Sequence, residues 1–418
     1  MKFPRIAKID QTFPKPFVES TEQEISDSFN SIVSTEKISG NRIAITAGSR
    51  GISGMADMLK TLIKTIRQKG GDPFIIPAMG SHGGATPEGQ LHILSDYGIT
   101  PETMGVPILA SMETVCIGET VDSLPVNIAK TAFDADGVVV INRIKPHTDF
   151  TGEVESGLMK MITVGMGKID GAKTFHSRTV GHSYDYLVQT IARKVLATGK
   201  ILCGIAIIEN AYHQTATIEA ISPNNIELRE KELLLYSKKL MPSLPVEKAD
   251  ILIIDRLGKN ISGVGIDPNI TGRRYRINHH WPDNPNITRL AVMDITPESM
   301  GNAVGVGLAD FCSSTLVNKI DKRITYLNAV TSRNTICSNI PLHFDTDHEM
   351  MEQMLISIGD IPPEEVRLLR IRDTLSLICI EASEALLPEL KNHPNVSAIS
   401  ELYDMEFDEN QKLIPIKI

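Results

Sequence analysis

Residues 42–77 read RIAITAGSRGISGMADMLKTLIKTIRQKGGDPFIIP: an apolar run, a glycine-rich turn, an amphipathic stretch and a second apolar run. The first run, 42–46, has the length and content of a buried strand. From 54 to 68 apolar residues recur three and four apart, the period of a helix with one buried face, and Gly70-Gly71 closes it. Residues 73–77 then begin another strand. Strand, crossover helix and strand make a βαβ unit, which lays parallel strands side by side. The pattern returns with strands expected at 137–141 and 205–209 and a helix at 184–198, closed by Gly199.

A break follows at Met241-Pro-Ser-Leu-Pro245, after a charged helix at 227–239 and before a fresh strand at 249–255. The second half repeats the theme less regularly, with a strand at 289–296, helices at 308–320 and 347–358, and a strand at 375–380. A chain of 418 residues can bury more than one core. The expected fold class is therefore α/β in two domains. Residues 1–243 form a parallel-sheet domain carrying the chemistry, to which the tail 399–418 is read as returning. Residues 247–398 form a smaller α/β domain closing over a substrate, with the active site in the cleft between them.

Composition narrows the function. A net charge of -9, with both signs scattered, provides no basic stripe for nucleic acid. No apolar run approaches the roughly 18 residues of a membrane span, and the start, MKFPRIAKIDQTFPKPF, is no signal peptide. The five cysteines lie far apart with no CxxC, which reads as free thiols in a reducing cytoplasm.

Open parallel sheets bind ligands beyond the carboxyl ends of their strands, so the loops there are the places for chemistry. Residues 46–54, TAGSRGISG, put Arg50 at a helix start, a seat for a carboxylate or phosphate as readily as a tight turn with a surface arginine. Residues 78–88, AMGSHGGATPE, hold His82 among glycines, and Thr86 with Pro87 reads as the N-cap and first residue of a helix. Residues 142–167 are richest: His147 after Pro146, then Ser156-Gly157, Lys160, and glycines at 165 and 167. Finally, residues 173–176, KTFH, add His176. One histidine alone is more often structural. Three, with Arg50 and Lys160, on the loops of one sheet are not easily dismissed. His92, His343, His348 and His393 read as solvated or capping. The segment 273–281, RRYRINHHW, is either a surface loop or a grip on an anionic substrate.

In this order and spacing the loops resemble those of the lactate racemase family, whose members use a nickel-pincer nucleotide. The resemblance rests on Arg50, Gly80-Ser-His82, Pro146-His147, Ser156-Gly157-Leu-Met-Lys160 and His176, and covers most of the first domain. It implies that Lys160 tethers the cofactor, with Ser156 and Gly157 beside it, that His176 ligates nickel, and that His82 and His147 are the acid/base pair. Arg50 would steer a substrate carboxylate. The chain departs from the family at Ala47, where an aspartate is usual, at Leu158-Met159, in a longer interval from His147 to Lys160, and in lacking the Tyr-Gln substrate motif. With Arg273, Arg274 and Arg276 nearby, these changes point to a 2-hydroxy acid bulkier than lactate, such as a sugar acid.

The chemistry suits the residues. The α-carbon of an ionised 2-hydroxy acid resists losing a proton, whereas removing hydride avoids a carbanion, and two histidines, with ordinary pKa near about 6.5, can serve the two positions of the hydroxyl. The implied function is a racemase or epimerase of small 2-hydroxy acids working by proton-coupled hydride transfer. Competing readings are a zinc or iron hydrolase built on the three histidines, a non-catalytic sugar-acid- or nucleotide-binding homologue, and a nicotinamide dehydrogenase. The absence of HExxH and of a GxGxxG fingerprint weighs against the first and last.

Overall fold

The computed structural model describes residues 2–177, 182–274 and 284–416, with His176 and Ser177 by their backbone alone. It divides into two compact units, one of Pro14–Met241 and one of Met1–Phe13 with Pro242–Ile418. The opening strand, β1 (Ile6–Gln11), thus belongs to the second unit.

In the first unit β2 (Arg42–Ala47) lies between β3 (Asp72–Pro77) and β6 (Gly137–Arg143), and β7 (Ile201–Glu209) and β8 (Thr215–Ile221) complete the sheet in the order β3-β2-β6-β7-β8. All neighbours are parallel except β7 and β8. Every residue of β2 after Arg42 is buried, because both faces of a parallel sheet are covered. Ile43, Ile45 and Ala47 share one core with Ile25 and Phe29 of the helix Thr21–Ile32 and with Met58, Leu62 and Ile66 of the helix Met55–Gln68. A separate antiparallel hairpin joins β4 (Thr114–Glu119) to β5 (Pro125–Ala129).

The second unit is a mixed sheet. It comprises β9 (Lys248–Ile254), β10 (Asn286–Val292), β11 (Phe311–Cys312), β12 (Leu368–Ile371), β13 (Cys379–Ser383) and β14 (Val396–Ile399), in the order β11-β10-β9-β12-β13-β1-β14. From β11 to β12 the strands are parallel; β13, β1 and β14 add antiparallel pairs.

Two expectations are corrected here. The tail does not return to the first unit: β14 pairs with β1, the amide of Ile416 donates to Asp255 at 2.9 Å, and the buried Arg370 bonds both Asp255 at 2.7 Å and the Ile414 carbonyl at 2.6 Å. The segment that crosses is residues 1–13, since β1 finds its ladder partners on β13. Nor do residues 308–320 form one helix. The Ser313 hydroxyl accepts the Leu316 amide and starts a fresh helix, Ser314–Lys319, leaving Phe311 and Cys312 to pair with β10.

Among the described residues no helix is long and apolar enough to cross a membrane. Among the described residues none of the five cysteines forms a disulfide, and four of them are buried.

Candidate active site

The loop after β2 carries Ser49 and Arg50, and the loop after β3 carries His82. Because β2 and β3 are adjacent and parallel, both loops leave the same sheet edge. The Ser49 hydroxyl is in hydrogen-bond contact with His82 Nδ1. Thr86 caps the helix Pro87–Asp96 by accepting the Gly89 amide at 3.1 Å, with Pro87 in its first turn. Behind the loop, Gln90 is fully buried and donates to the Gly80 carbonyl at 3.0 Å and the His82 carbonyl at 3.4 Å. The Lys168 amine donates to the Pro77 carbonyl at 2.6 Å and to Gln90 Oε1 at 3.0 Å. Burial alone lowers the pKa of Lys168 to about 8, so near neutrality it remains a charged brace on the His82 loop.

Gly89 makes this loop possible. A Cβ there would lie 1.9 Å from the Gly83 carbonyl oxygen, which is rigid backbone. Gly89→Ala should therefore push the Gly83–Ala85 turn outward and destabilise the fold by about 1–3 kcal/mol or more. Thermal unfolding measures this, and an unchanged midpoint would show that the turn gives way freely.

His147 follows β6. The loop is pinned at its ends by paired hydrogen bonds between Lys145 and Ser156, at 2.8 and 3.2 Å. Within it the buried carboxylate of Glu155 accepts the His147 amide at 2.6 Å and the Gly152 amide at 3.2 Å, and Lys238 pairs with it at 2.7 Å. The imidazole stacks on Phe150 with ring centroids 4.3 Å apart; Phe150 stacks on Tyr184, which meets Phe175 edge-on. So aimed, His147 Nε2 is in hydrogen-bond contact with the Lys160 amine.

Lys160 ends the helical turn Leu158–Lys160, which runs into a π-helical turn, Met161–Gly165. The Gly80 amide donates to the Gly165 carbonyl at 3.1 Å, tying this segment to the His82 loop. Burial lowers the Lys160 amine to about 7; the Asp149 charge opposes this, and Arg50 and Lys145 reinforce it. Arg50 is pushed down chiefly by burial, with Tyr97 opposing and Arg143 adding to the shift, yet it stays charged. Arg143 is paired with Glu209, whereas among the described residues no carboxylate pairs with Arg50.

The structure thus brings together Arg50, His82, His147 and Lys160 within one unit. Gly157 is buried, and its missing side chain lets Glu230 approach: a Cβ there would stand 2.3 Å from Glu230 Oε1. Ser156 contributes backbone pairing. His176 sits on a helix, Lys168–Ser177, where a loop was expected; Gly167 and Gly171 let this helix start hard against the π turn. Its side chain lies outside the described residues. So do Arg276, His279, His280 and Trp281. Arg273 is not a free anion grip, since it pairs with Asp310 at 2.8 Å and donates to the Ile287 and Thr288 carbonyls. Ser49, Gln90, Lys168 and Glu230 were missed by sequence reasoning; only Glu230 left a signal, an acid in phase with the apolar stripe of its helix.

Residues 18–186 match the profile of the lactate racemase N-terminal domain. A search of curated proteins finds no match. Among solved structures, the lactate racemase apoprotein from Thermoanaerobacterium thermosaccharolyticum superposes with a TM-score of 0.52 at 14% identity, over 89% of this chain and 99% of that one, a likeness of fold.

Proposed function

We propose that the chain, whose residues 18–186 match the profile of the lactate racemase N-terminal domain, is an isomerase that racemises or epimerises a 2-hydroxy acid with a nickel-pincer nucleotide. The observation that carries this reading is the contact between His147 and Lys160, with an uncompensated Arg50 close enough to act on the same amine.

The residues fit the group in the respect that its attachment requires. Attachment needs a nucleophilic amine, and burial brings Lys160 to about 7, where a large share of it is uncharged at neutral pH. Lys160 would hold the group and His176 would supply an imidazole to its nickel, a donor that metal accepts well. When bound, the group supplies an electrophile able to take and return the carbon-bound hydrogen with its electron pair.

The chain's own residues do the rest. Arg50 binds the substrate carboxylate and fixes the α-carbon in place. His82 and His147 exchange the hydroxyl proton at their Nε2 atoms, one serving each position of the hydroxyl in the two enantiomers. Phe150 shields one face of the His147 ring and keeps water from it.

The test is to produce the chain alongside the cofactor-synthesis enzymes, then measure intact mass, bound metal and racemisation of a panel of 2-hydroxy acids. An adduct mapping to Lys160, stoichiometric nickel and interconversion of at least one acid are expected, with Lys160→Ala lacking all three. Zinc without an adduct, and hydrolysis without racemisation, would overturn the reading in favour of a metal hydrolase.

A further inference from the structure

The His147 loop dictates which ring nitrogen bears a proton. The Asp149 amide donates to His147 Nδ1 at 3.0 Å, so Nδ1 is an acceptor. A neutral imidazole has a single N–H, which here must sit on Nε2. That nitrogen faces the Lys160 amine. An ammonium has three donors and no lone pair, so it cannot receive the Nε2 proton, whereas a free amine can. The reverse assignment, with a proton on Nδ1, sets two N–H groups against each other across 3.0 Å.

We propose that His147 readies Lys160 for acylation: in the unloaded chain its Nε2–H donates to the lysine nitrogen and holds it as the free amine, before any role the imidazole plays in turnover. The inference rests on the function proposed above and concerns a step that precedes it.

The surroundings agree. Burial of the amine outweighs the attraction of Asp149, and Arg50 and Lys145 repel an ammonium. The Phe150 ring, 5.9 Å away, lies at the outer limit of cation–π attraction. Glu155, also on this loop, is neutralised by Lys238. Glu230, from the helix Ile226–Leu240, reaches the same turn, but burial raises its carboxyl to about 8, so at neutral pH it brings no full negative charge.

The test uses the unloaded full-length chain and N-acetoxysuccinimide at less than one equivalent, between pH 6 and 9. The lysine nitrogen forms a bond to the acetyl carbon as its bond to oxygen breaks. N-hydroxysuccinimide leaves, and one amine proton passes to the buffer. Peptide mass mapping gives the rate at each lysine.

Lys160 should be acetylated first, with a rate midpoint near pH 7, against about 10.4 for ordinary lysines. In His147→Gln, whose amide can accept from an ammonium as well as donate, the midpoint should rise by at least one pH unit and labelling at pH 7 fall about fivefold or more. Labelling of surface lysines and the unfolding midpoint should be unchanged. Labelling of Lys160 no faster than of surface lysines at pH 7, or a wild-type midpoint in His147→Gln, overturns the proposal. The two readings can fail separately. A loaded chain that racemises while unloaded Lys160 titrates near 10 sinks this inference alone. A midpoint near 7 in a chain that never takes up nickel, with the His147→Gln shift present, supports it while removing the proposed function.

Discussion

In the loaded protein, His82→Ala and His147→Ala should each slow interconversion of enantiomers by roughly 10²–10⁴-fold, the usual contribution of a positioned acid or base. The two losses will look alike in a racemisation assay. Enantiomers are equal in free energy, so any change lowers kcat/KM equally in both directions. The difference shows in a single turnover. His82 Nδ1 meets the Ser49 hydroxyl, which can donate or accept, so its Nε2 can be bare or protonated. His147 Nδ1 is held by a backbone amide, which can only donate. A bare His82 Nε2 is ready to take a hydroxyl proton; His147 Nε2 rests with its proton in place. His82→Ala should therefore lose keto-acid formation from the enantiomer whose hydroxyl faces His82, and His147→Ala, which keeps that base, should retain it, read by rapid quench with substrate deuterated at the α-carbon. Equal loss from both would remove the division of labour. His82 is exposed, so its replacement should shift stability by no more than about 0.5 kcal/mol. Its adduct at Lys160 should form normally, whereas that of His147→Ala should form slowly.

The sequence was most readable where local pattern and tertiary role coincide. Ile43–Ala47 is buried without alternation, apolar but for Thr46, because both faces of β2 are covered, and the glycines at 54, 70 and 71 punctuate the following helix just where it begins and ends. Thr86 and Pro87 advertised a cap that the structure contains. The histidine loops were legible for a related reason, since strand order sends them to one edge of one sheet. What was hidden depends on partners remote in sequence. Nothing in Ile6–Gln11 announces pairing with Cys379–Ser383. The meeting of His147 with Lys160 depends on the Lys145–Ser156 staple and on Glu155 turned inward, and Lys168 reaches Pro77 across 91 positions of chain. Glu230 could have been found: Ile226, Glu230, Leu233, Ser237 and Leu240 lie on one buried face, and an acid in that phase must be buried.

That acid supports the second large expectation. Glu230 is fully buried; its Oε2 accepts the Met159 amide at 2.8 Å, and its Oε1 has no hydrogen-bond partner among the described residues. Burial raises its carboxyl to about 8, and the Met159 and Leu158 amides offset this only in part. The folded chain thus keeps this proton up to about pH 8, whereas the unfolded chain releases it near 4.5. Between those values the folded state binds more protons, so stability from this group must fall as pH rises through the window. At about 1.4 kcal/mol for each tenfold change, the loss by pH 9 is on the order of 3–5 kcal/mol. Glu230→Gln keeps an oxygen for the Met159 amide and cannot ionise. Chemical denaturation of both chains at pH 5 and pH 9 should show the wild type losing ground to the variant by that amount. A difference that stays constant with pH would mean that water reaches the carboxylate. The consequence extends to the site, because Glu230 braces the turn that presents Lys160. In the wild type above pH 8 a buried anion there would draw a proton back toward the amine and slow its acylation, a retardation the glutamine variant should not show.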